Sequence, residues 1–484
     1  MVGVAGRSKA CLTCRRRRKG CDFQRPSCGN CQRLGLKCEG YERPTTFIHT
    51  DPATGAETKV RTTKTTTVTL PDTLAKSAYK TNCLSVFWDI YLPGYTDPEV
   101  SLARDGCFST VNWMIDIQRQ NIYHQNPHLE KSVMALCLAT LGRRLGDRAM
   151  IEESMKAYSA AVRAMSVLLS RINSESPPDD AMVAATRCLS LFEVFYCPDS
   201  TDKQSQALAW HRHRFGELAL LSARKPERQI DGIAHQMFAD GRLSCTIAAL
   251  ATRRGTLLSR PEWKKVPWSQ HKKTTLDLLL DIFVDVPDLL ETLDMVEAAF
   301  FANMPDTKER KTDLVQKCNT TLQALSSWFQ NSAPDWDWKA HKNNTAPTTA
   351  DITAAHNMCL FWAIDLKVRG ITIDASLLPH SINHHLKQQK RRRYYIALLQ
   401  QCEAIIQTAP IFFTPAAGIA GAQLAVFPLI LAHKILGVIG NDAAQEMQAQ
   451  VLELMAKSRE MKLAIHNFVD SLRECYKEHY CPYC

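Results

Sequence analysis

Six cysteines near the start constrain this chain more than any other feature: Cys11, Cys14, Cys21, Cys28, Cys31 and Cys38, spaced C-x2-C-x6-C-x6-C-x2-C-x6-C. The half-unit C-x2-C-x6-C is written twice. A tetrahedral zinc takes four ligands, so six thiolates are too many for one ion and too few for two separate ions. They suffice for two tetrahedral ions if two sulfurs are shared, which predicts one binuclear cluster. So short a segment cannot build its own hydrophobic core. Metal coordination must supply the folding free energy, on the order of 10 kcal/mol per structural zinc site.

The charge distribution supports this. The chain carries a formal net charge of +10, but residues 1–43 hold 11 Lys/Arg against 3 Asp/Glu, and the remainder is nearly balanced, 48 against 46. A compact basic module beside a near-neutral body implies a polyanionic partner for the module alone. Arg15, Arg16, Arg17, Arg18 and Lys19 lie between the second and third cysteines. Six thiolates and two Zn2+ leave a charge of −2, which this run offsets while keeping the sulfurs ionised. The N-terminus lacks the apolar stretch of a signal peptide and Val2 excludes N-myristoylation, so an intracellular, reducing setting is expected. There, clustered cysteines read as metal ligands before disulfides. A metal-buffering cluster is a further alternative, against which the arginine run argues. The run could also serve as a nuclear import signal, as an added role.

The segment CLTCRRRRKGCDFQRPSCGNCQRLGLKC resembles the DNA-binding domain of the fungal zinc binuclear cluster family. The resemblance covers the six ligands, the basic run after Cys14, Asp22 after the third ligand and Pro26 in the central loop. It implies two zinc ions bridged by Cys11 and Cys28, and a short helix after each C-x2-C. It also implies that the first helix enters the major groove at a CGG triplet. Base reading by basic residues at that helix's C-terminal end would fall to Arg17 and Arg18. Arg18 stands where the family usually has Lys, and Gly20 where Lys is frequent. Arginine still donates two hydrogen bonds to guanine O6 and N7, so base reading stays feasible. Lys9, Arg15, Arg16, Lys19, Arg25 and Arg33 are the candidates for phosphate contacts, which position the module without reading sequence.

The expected architecture has three parts. A small metal-stabilised zinc binuclear cluster module occupies residues 1–43, a flexible linker residues 44–77, and a large all-α regulatory domain residues 78–484. The linker is polar and rich in Thr, which favours extended chain over helix. No sustained heptad pattern appears between Glu39 and Leu84, so a coiled-coil dimer directly after the cluster is not expected. A monomer, or a dimer made by the C-terminal body, fits equally well.

In the body, residues 129–146 and 151–173 suggest an antiparallel helix pair, with 179–197 and 206–223 as the next. Met155, Tyr158, Val162, Met165, Leu169 and Ile172 recur at three- and four-residue steps and are expected to face the core. Two stretches resemble the all-helical regulatory region of fungal regulators. One carries Trp210, His213 and Gly216, the other Arg242, Arg253, Arg254, Trp263 and Pro267. Helix packing is the plain physical role for these residues, with ligand binding by His213 as the alternative.

Residues 274–307 contain Asp277, Asp281, Asp285, Asp288, Glu291, Asp294 and Glu297 among apolar residues. They read as the solvated face of a helix or as an acidic-apolar activation segment. Residues 331–351 are expected to form a loop. Lys387, Lys390, Arg391, Arg392 and Arg393 form a second basic run, read as a solvated helix end or an import signal. Residues 411–432 are uncharged and long enough for a membrane span. Pro415, Pro428 and Gln423 favour instead a buried core helix bent at the prolines, so no membrane contact is expected. Cys481 and Cys484 form a terminal C-x2-C beside His479, read as a frayed end or as a metal or redox site.

Together these features predict a nuclear, sequence-specific DNA-binding regulator of RNA polymerase II transcription. Double-stranded DNA and transcriptional coregulators are its partners. The resemblance adds target genes in metabolism, such as a secondary-metabolite biosynthetic cluster. An enzyme is not expected, because a sulfur-saturated cluster keeps no open position for water. H-E-x-x-H, G-x-S-x-G and P-loop motifs are also missing. The alternatives are a scaffold that has lost DNA binding and a zinc-dependent enzyme.

Overall fold

The computed structural model describes residues 9–41, 45–50, 57–62, 72–93, 111–120, 122–173, 175–195, 203–337, 339, 347–378 and 384–460. The chain divides into two compact units, 1–77 and 78–484.

The first unit holds two five-residue helices, Leu12–Arg16 and Gly29–Arg33. Each helix starts inside its C-x2-C, not after it, because the first cysteine is the N-cap. The Cys11 sulfur accepts the Cys14 N–H and the Cys28 sulfur the Cys31 N–H, each at 3.3 Å. The segment expected to be a linker contains an antiparallel pair of strands, Thr45–Thr50 and Glu57–Thr62, in the register Thr45 to Thr62. The preference of Thr for extended chain is thus met by pairing.

In the second unit every described element of regular structure is helical. Helix Asp72–Tyr91 begins slightly before the expected start. Helices Pro127–Leu145 and Arg148–Leu169 form the expected pair. Gly146 ends the first at φ 70°, where a left-handed residue is cheapest as glycine. Asp147 caps the second by accepting the Met150 N–H at 3.1 Å. Helices Asp180–Phe195 and Lys203–Arg224 make the next pair.

The buried face of Arg148–Leu169 differs from the expected stripe. Met165 is buried, but Met155 and Val162 are each 38% exposed and Leu169 is 46% exposed. Small residues do the packing instead. Ala135 and Ala139 of one helix cluster with Phe192, and Ala157 and Tyr158 of the other pack against them. Gly142 lies so close to Ile151 that an added Cβ would sit 2.8 Å from its side chain. Small side chains let the two backbones approach, and Met155, Val162 and Leu169 are turned outward.

Helix Thr349–Ser376 runs through the middle of the bundle, buried along its length, and packs against Thr307–Asn331, Leu399–Thr408 and Gly418–Ile439. A capping box at Thr348 and Asp351 fixes its start. Helix Gly418–Ile439 is apolar and long enough to cross a membrane, yet it is built into this bundle with Pro428 buried inside it. Its polar Gln423 is engaged there through Oε1, which accepts from the Tyr91 hydroxyl at 3.1 Å. Residues 332–337 are irregular, as expected of the loop.

The acidic stretch folds as helices Thr275–Phe283 and Val286–Phe301. Its charges do not form a solvated face. Asp281 pairs with Arg242 and Lys273, and Asp285 pairs with Lys264. Glu291 pairs with Arg254 and Asp294 with Arg253. Asp277 closes a capping box with Thr274. The cations come from the segment just before these helices, so the acids tie that segment down. An activation segment needs free acids, and here Asp277, Asp281, Asp285, Glu291 and Asp294 are engaged in the fold.

Candidate metal centre and nucleic-acid interface

The six N-terminal cysteines converge. Cys11, Cys14, Cys21 and Cys28 form one group and Cys11, Cys28, Cys31 and Cys38 another, each with all its sulfurs within 4.8 Å of one another. Cys11 and Cys28 belong to both. None of the six is in a disulfide. The closest sulfurs are 3.6 Å apart, far beyond a disulfide bond and suited to a shared ion. Two four-sulfur groups sharing two members are what two tetrahedral ions require.

The backbone is arranged to hold thiolates. Cys21 accepts the Cys11 N–H at 3.5 Å. Burial alone would raise the Cys21 thiol, but the N–H groups of Cys11 and Phe23 hold it down at about 6. Cys38 is lowered in the same way by the N–H groups of Cys28 and Gly40. Cys14 is pushed up by burial and by the neighbouring cysteines. The Cys28 sulfur and burial push Cys31 up to about 12. Cys21 and Cys38 thus give up their protons more readily than the buried Cys14 and Cys31, whose ionisation a bound cation would favour. The donor set therefore fits zinc, which would supply charge neutralisation and the fixed tetrahedral frame.

Local ties orient the two halves. Asp22 accepts the Gly29 N–H at 3.1 Å, linking the loop after the third cysteine to the start of the second helix. Asn30 donates to the Gly20 carbonyl at 2.8 Å. Thr13 donates to the Lys37 carbonyl at 3.1 Å and accepts the Glu39 N–H at 3.0 Å. Tyr41 donates to the Gln24 carbonyl at 2.7 Å and lies beneath the Arg25 guanidinium. Sequence reading did not single out Tyr41 or Thr13. Asp22 stood out only through the resemblance.

All eight basic residues assigned to DNA are exposed: Lys9, Arg15, Arg16, Arg17, Arg18, Lys19, Arg25 and Arg33. Three have local partners. Arg16 pairs with Glu39, Arg33 bonds Asn30 and Arg25 stacks on Tyr41. Among the described residues, Arg17 and Arg18 have no ion-pair partner. Arg17 is the C-cap of the first helix and Arg18 follows it at φ 53°. The helix carbonyls there favour cations, and both guanidiniums extend from its end.

In the second unit the motif residues are structural. Trp210 is buried in the main core. His213 is held by the Tyr158 hydroxyl at 2.9 Å, and the same hydroxyl donates to Glu193 at 2.6 Å. Gly216 leaves room, since an added Cβ would meet only Thr186 at 3.8 Å. Arg242 is buried, stacks over Trp268 at 4.4 Å and pairs with Asp281. Trp263 and Pro267 are buried beside it. A buried ionic cluster that sequence reading missed lies nearby. Glu217 is paired by both Arg187 and Arg214, and Arg187 also donates to the Met237 carbonyl at 2.6 Å. In the second basic run Arg391 pairs with Asp374 and lies over Tyr395, while Lys390, Arg392 and Arg393 are exposed. The side chain of Lys387 and the terminal His479, Cys481 and Cys484 lie outside the described residues.

Residues 9–46 match the fungal Zn(2)-Cys(6) binuclear cluster domain, which binds two zinc ions. The chain is also similar to the aspercryptin biosynthesis cluster-specific transcription regulator atnN of Emericella nidulans. The two are 56% identical over 39 residues, which is 8% of this chain and 6% of that relative. The match spans only a small part of the relative's length. No solved structure matches the chain.

Proposed function

We propose that this chain, whose residues 9–46 are a fungal Zn(2)-Cys(6) binuclear cluster domain, is a sequence-specific DNA-binding transcription regulator. It acts on RNA polymerase II genes in the nucleus. The observation that carries the reading is the placement of Arg17 and Arg18. They follow a helix whose start is fixed by the shared ligand Cys11, so the metal frame would hold the backbone from which the two exposed guanidiniums reach. A rigid mount is what bidentate reading of guanine demands. Arg15, Lys19 and Lys9 flank them for phosphate contacts.

CGG-containing sites are the proposed targets, with the helical body serving regulation and coregulator contact. The relative's name speaks of a biosynthesis cluster, which supports a metabolic gene cluster as the regulated locus. The expected test result is that full-length, zinc-loaded protein enriches CGG-containing duplexes from a random pool, with one or two half-sites reporting the oligomeric state. Enrichment of no sequence over the starting pool would refute the reading and leave the scaffold alternative.

A further inference from the structure

The two halves of the cluster repeat at an offset of 17 residues, and their backbones repeat as well. Each half turns twice through the left-handed region: at Arg18 (φ 53°) and Phe23 (φ 61°) in the first, at Gly35 (φ 62°) and Gly40 (φ 74°) in the second. The turns are obligatory. The Lys19 N–H closes back on the Cys14 carbonyl at 3.0 Å, as the Leu36 N–H does on Cys31 at 2.9 Å. The N–H groups of Phe23 and Gly40 donate to the sulfurs of Cys21 and Cys38. Glycine meets this demand without strain, and the second half uses it both times. The first half carries Arg and Phe, and a bulky residue at positive φ is a genuine outlier.

The cost at Phe23 is not recovered by packing. Its ring is 55% exposed, between the exposed polar side chains of Asp22 and Gln24. The strained pair, Arg18 and Phe23, lies on one short loop with the basic run, and the metal-bound frame fixes both. A conformational penalty retained without a packing gain points to use by a partner. The partner is polyanionic by the charge of the module, and its apolar surface is confined to thymine methyl groups and sugar faces.

We infer that Phe23 is a DNA-contact residue, its ring packing on the apolar surface of the duplex beside the guanine read from the Arg17–Arg18 end of the helix. This rests on the proposed DNA-binding reading and adds a contact of different chemistry to it. A thymine methyl in the major groove is a suitable receptor for a phenyl ring. A deoxyribose face is the other source of the same chemistry.

The test compares full-length, zinc-loaded wild type with Phe23→Gly, Phe23→Asn and Phe23→Tyr, by duplex selection, titration of the selected duplex, and zinc retention against a chelator. Glycine and asparagine both tolerate the left-handed turn, so neither should unfold the module. Both are expected to bind the duplex about tenfold more weakly, the scale of losing one buried aromatic contact. Phe23→Gly is expected to retain zinc about fivefold better, because the strain is relieved. Phe23→Tyr keeps the ring and should bind like wild type. Loss of a thymine preference at one position would identify the methyl group, and loss uniform across sequences would identify the sugar face; either supports the contact. Unchanged affinity and preference in Phe23→Gly overturns it alone. A wild type that selects no duplex overturns the DNA-binding reading as well.

Discussion

The sulfurs of Cys11 and Cys28 lie 3.6 Å apart, and each belongs to both four-sulfur groups. Every other ligand belongs to one. Loss of a shared sulfur should therefore damage both ion sites, whereas loss of Cys38 should damage one. Cys28→Ala is expected to hold less than one zinc per chain and to lose duplex binding. Cys38→Ala is expected to hold about one. Elemental analysis of the purified full-length variants reads this directly, and equal stoichiometry in the two would contradict shared ligation.

Arg242 is the buried hub between Trp268 and the carboxylates of Asp277 and Asp281. Replacing it with Met fills similar space but removes the buried cation, leaving Asp281 to Lys273 and Asp277 to its cap with Thr274. Breaking one partner of a buried pair costs about 3–5 kcal/mol. Arg242→Met should lower the denaturant midpoint accordingly, and adding Asp281→Asn should recover part of the loss. Additive effects in the double variant would show that the two residues are not coupled.

Two helical glycines should respond to alanine with opposite signs. At Gly241 an added Cβ would collide with Arg187 and sit 2.7 Å from Glu217 Oε1, inside the buried ion cluster. Overpacking of this kind costs about 1–3 kcal/mol, more than the roughly 1 kcal/mol that helix propensity returns. Gly216 has room, so Gly216→Ala should be stabilising by up to about 1 kcal/mol. Thermal melts of the two variants decide the matter. If Gly241→Ala melted higher than wild type, the close approach of Arg187 and Glu217 to that helix would be wrong.

Burial raises Glu193 to about 7, with the Tyr158 hydroxyl opposing the rise. A carboxyl raised in the folded state holds its proton longer than in the unfolded chain. Its favourable contribution is present at low pH and is lost as pH climbs from the ordinary carboxyl value toward 7. Glu193→Gln removes the titration and keeps a polar partner for Tyr158. The stability of the variant relative to wild type should grow between pH 4.5 and 7.5, by up to roughly 3 kcal/mol. Urea midpoints across that range test it, and a constant difference would place Glu193 in contact with water.

Much of the candidate site was legible in the sequence because its information is local. All six ligands lie within one short stretch, and the ligand count with its internal repeat already demanded shared sulfurs. Helices Pro127–Leu145 and Arg148–Leu169 were also legible, the second from its three- and four-residue apolar steps, while Gly146 and Asp147 at the turn were identified only by the structure. The strands at Thr45–Thr50 and Glu57–Thr62 were visible only as a preference for extended chain, since pairing depends on the partner strand and not on composition.

What the sequence determined by itself is the metal chemistry, the basic run and the helical class of the body, since each follows from residues adjacent in the chain. Tertiary structure decided which faces are buried and which charges are spent. Met155, Val162 and Leu169 have the spacing of a core stripe, but Ala157 and the close approach at Gly142 set the helix rotation and turned them outward. The acids from Asp281 to Asp294 look free until Arg242, Arg253 and Arg254 are folded against them from about 40 residues away. Periodicity reports that a helix has two faces. Only the neighbours in space determine which one loses its water.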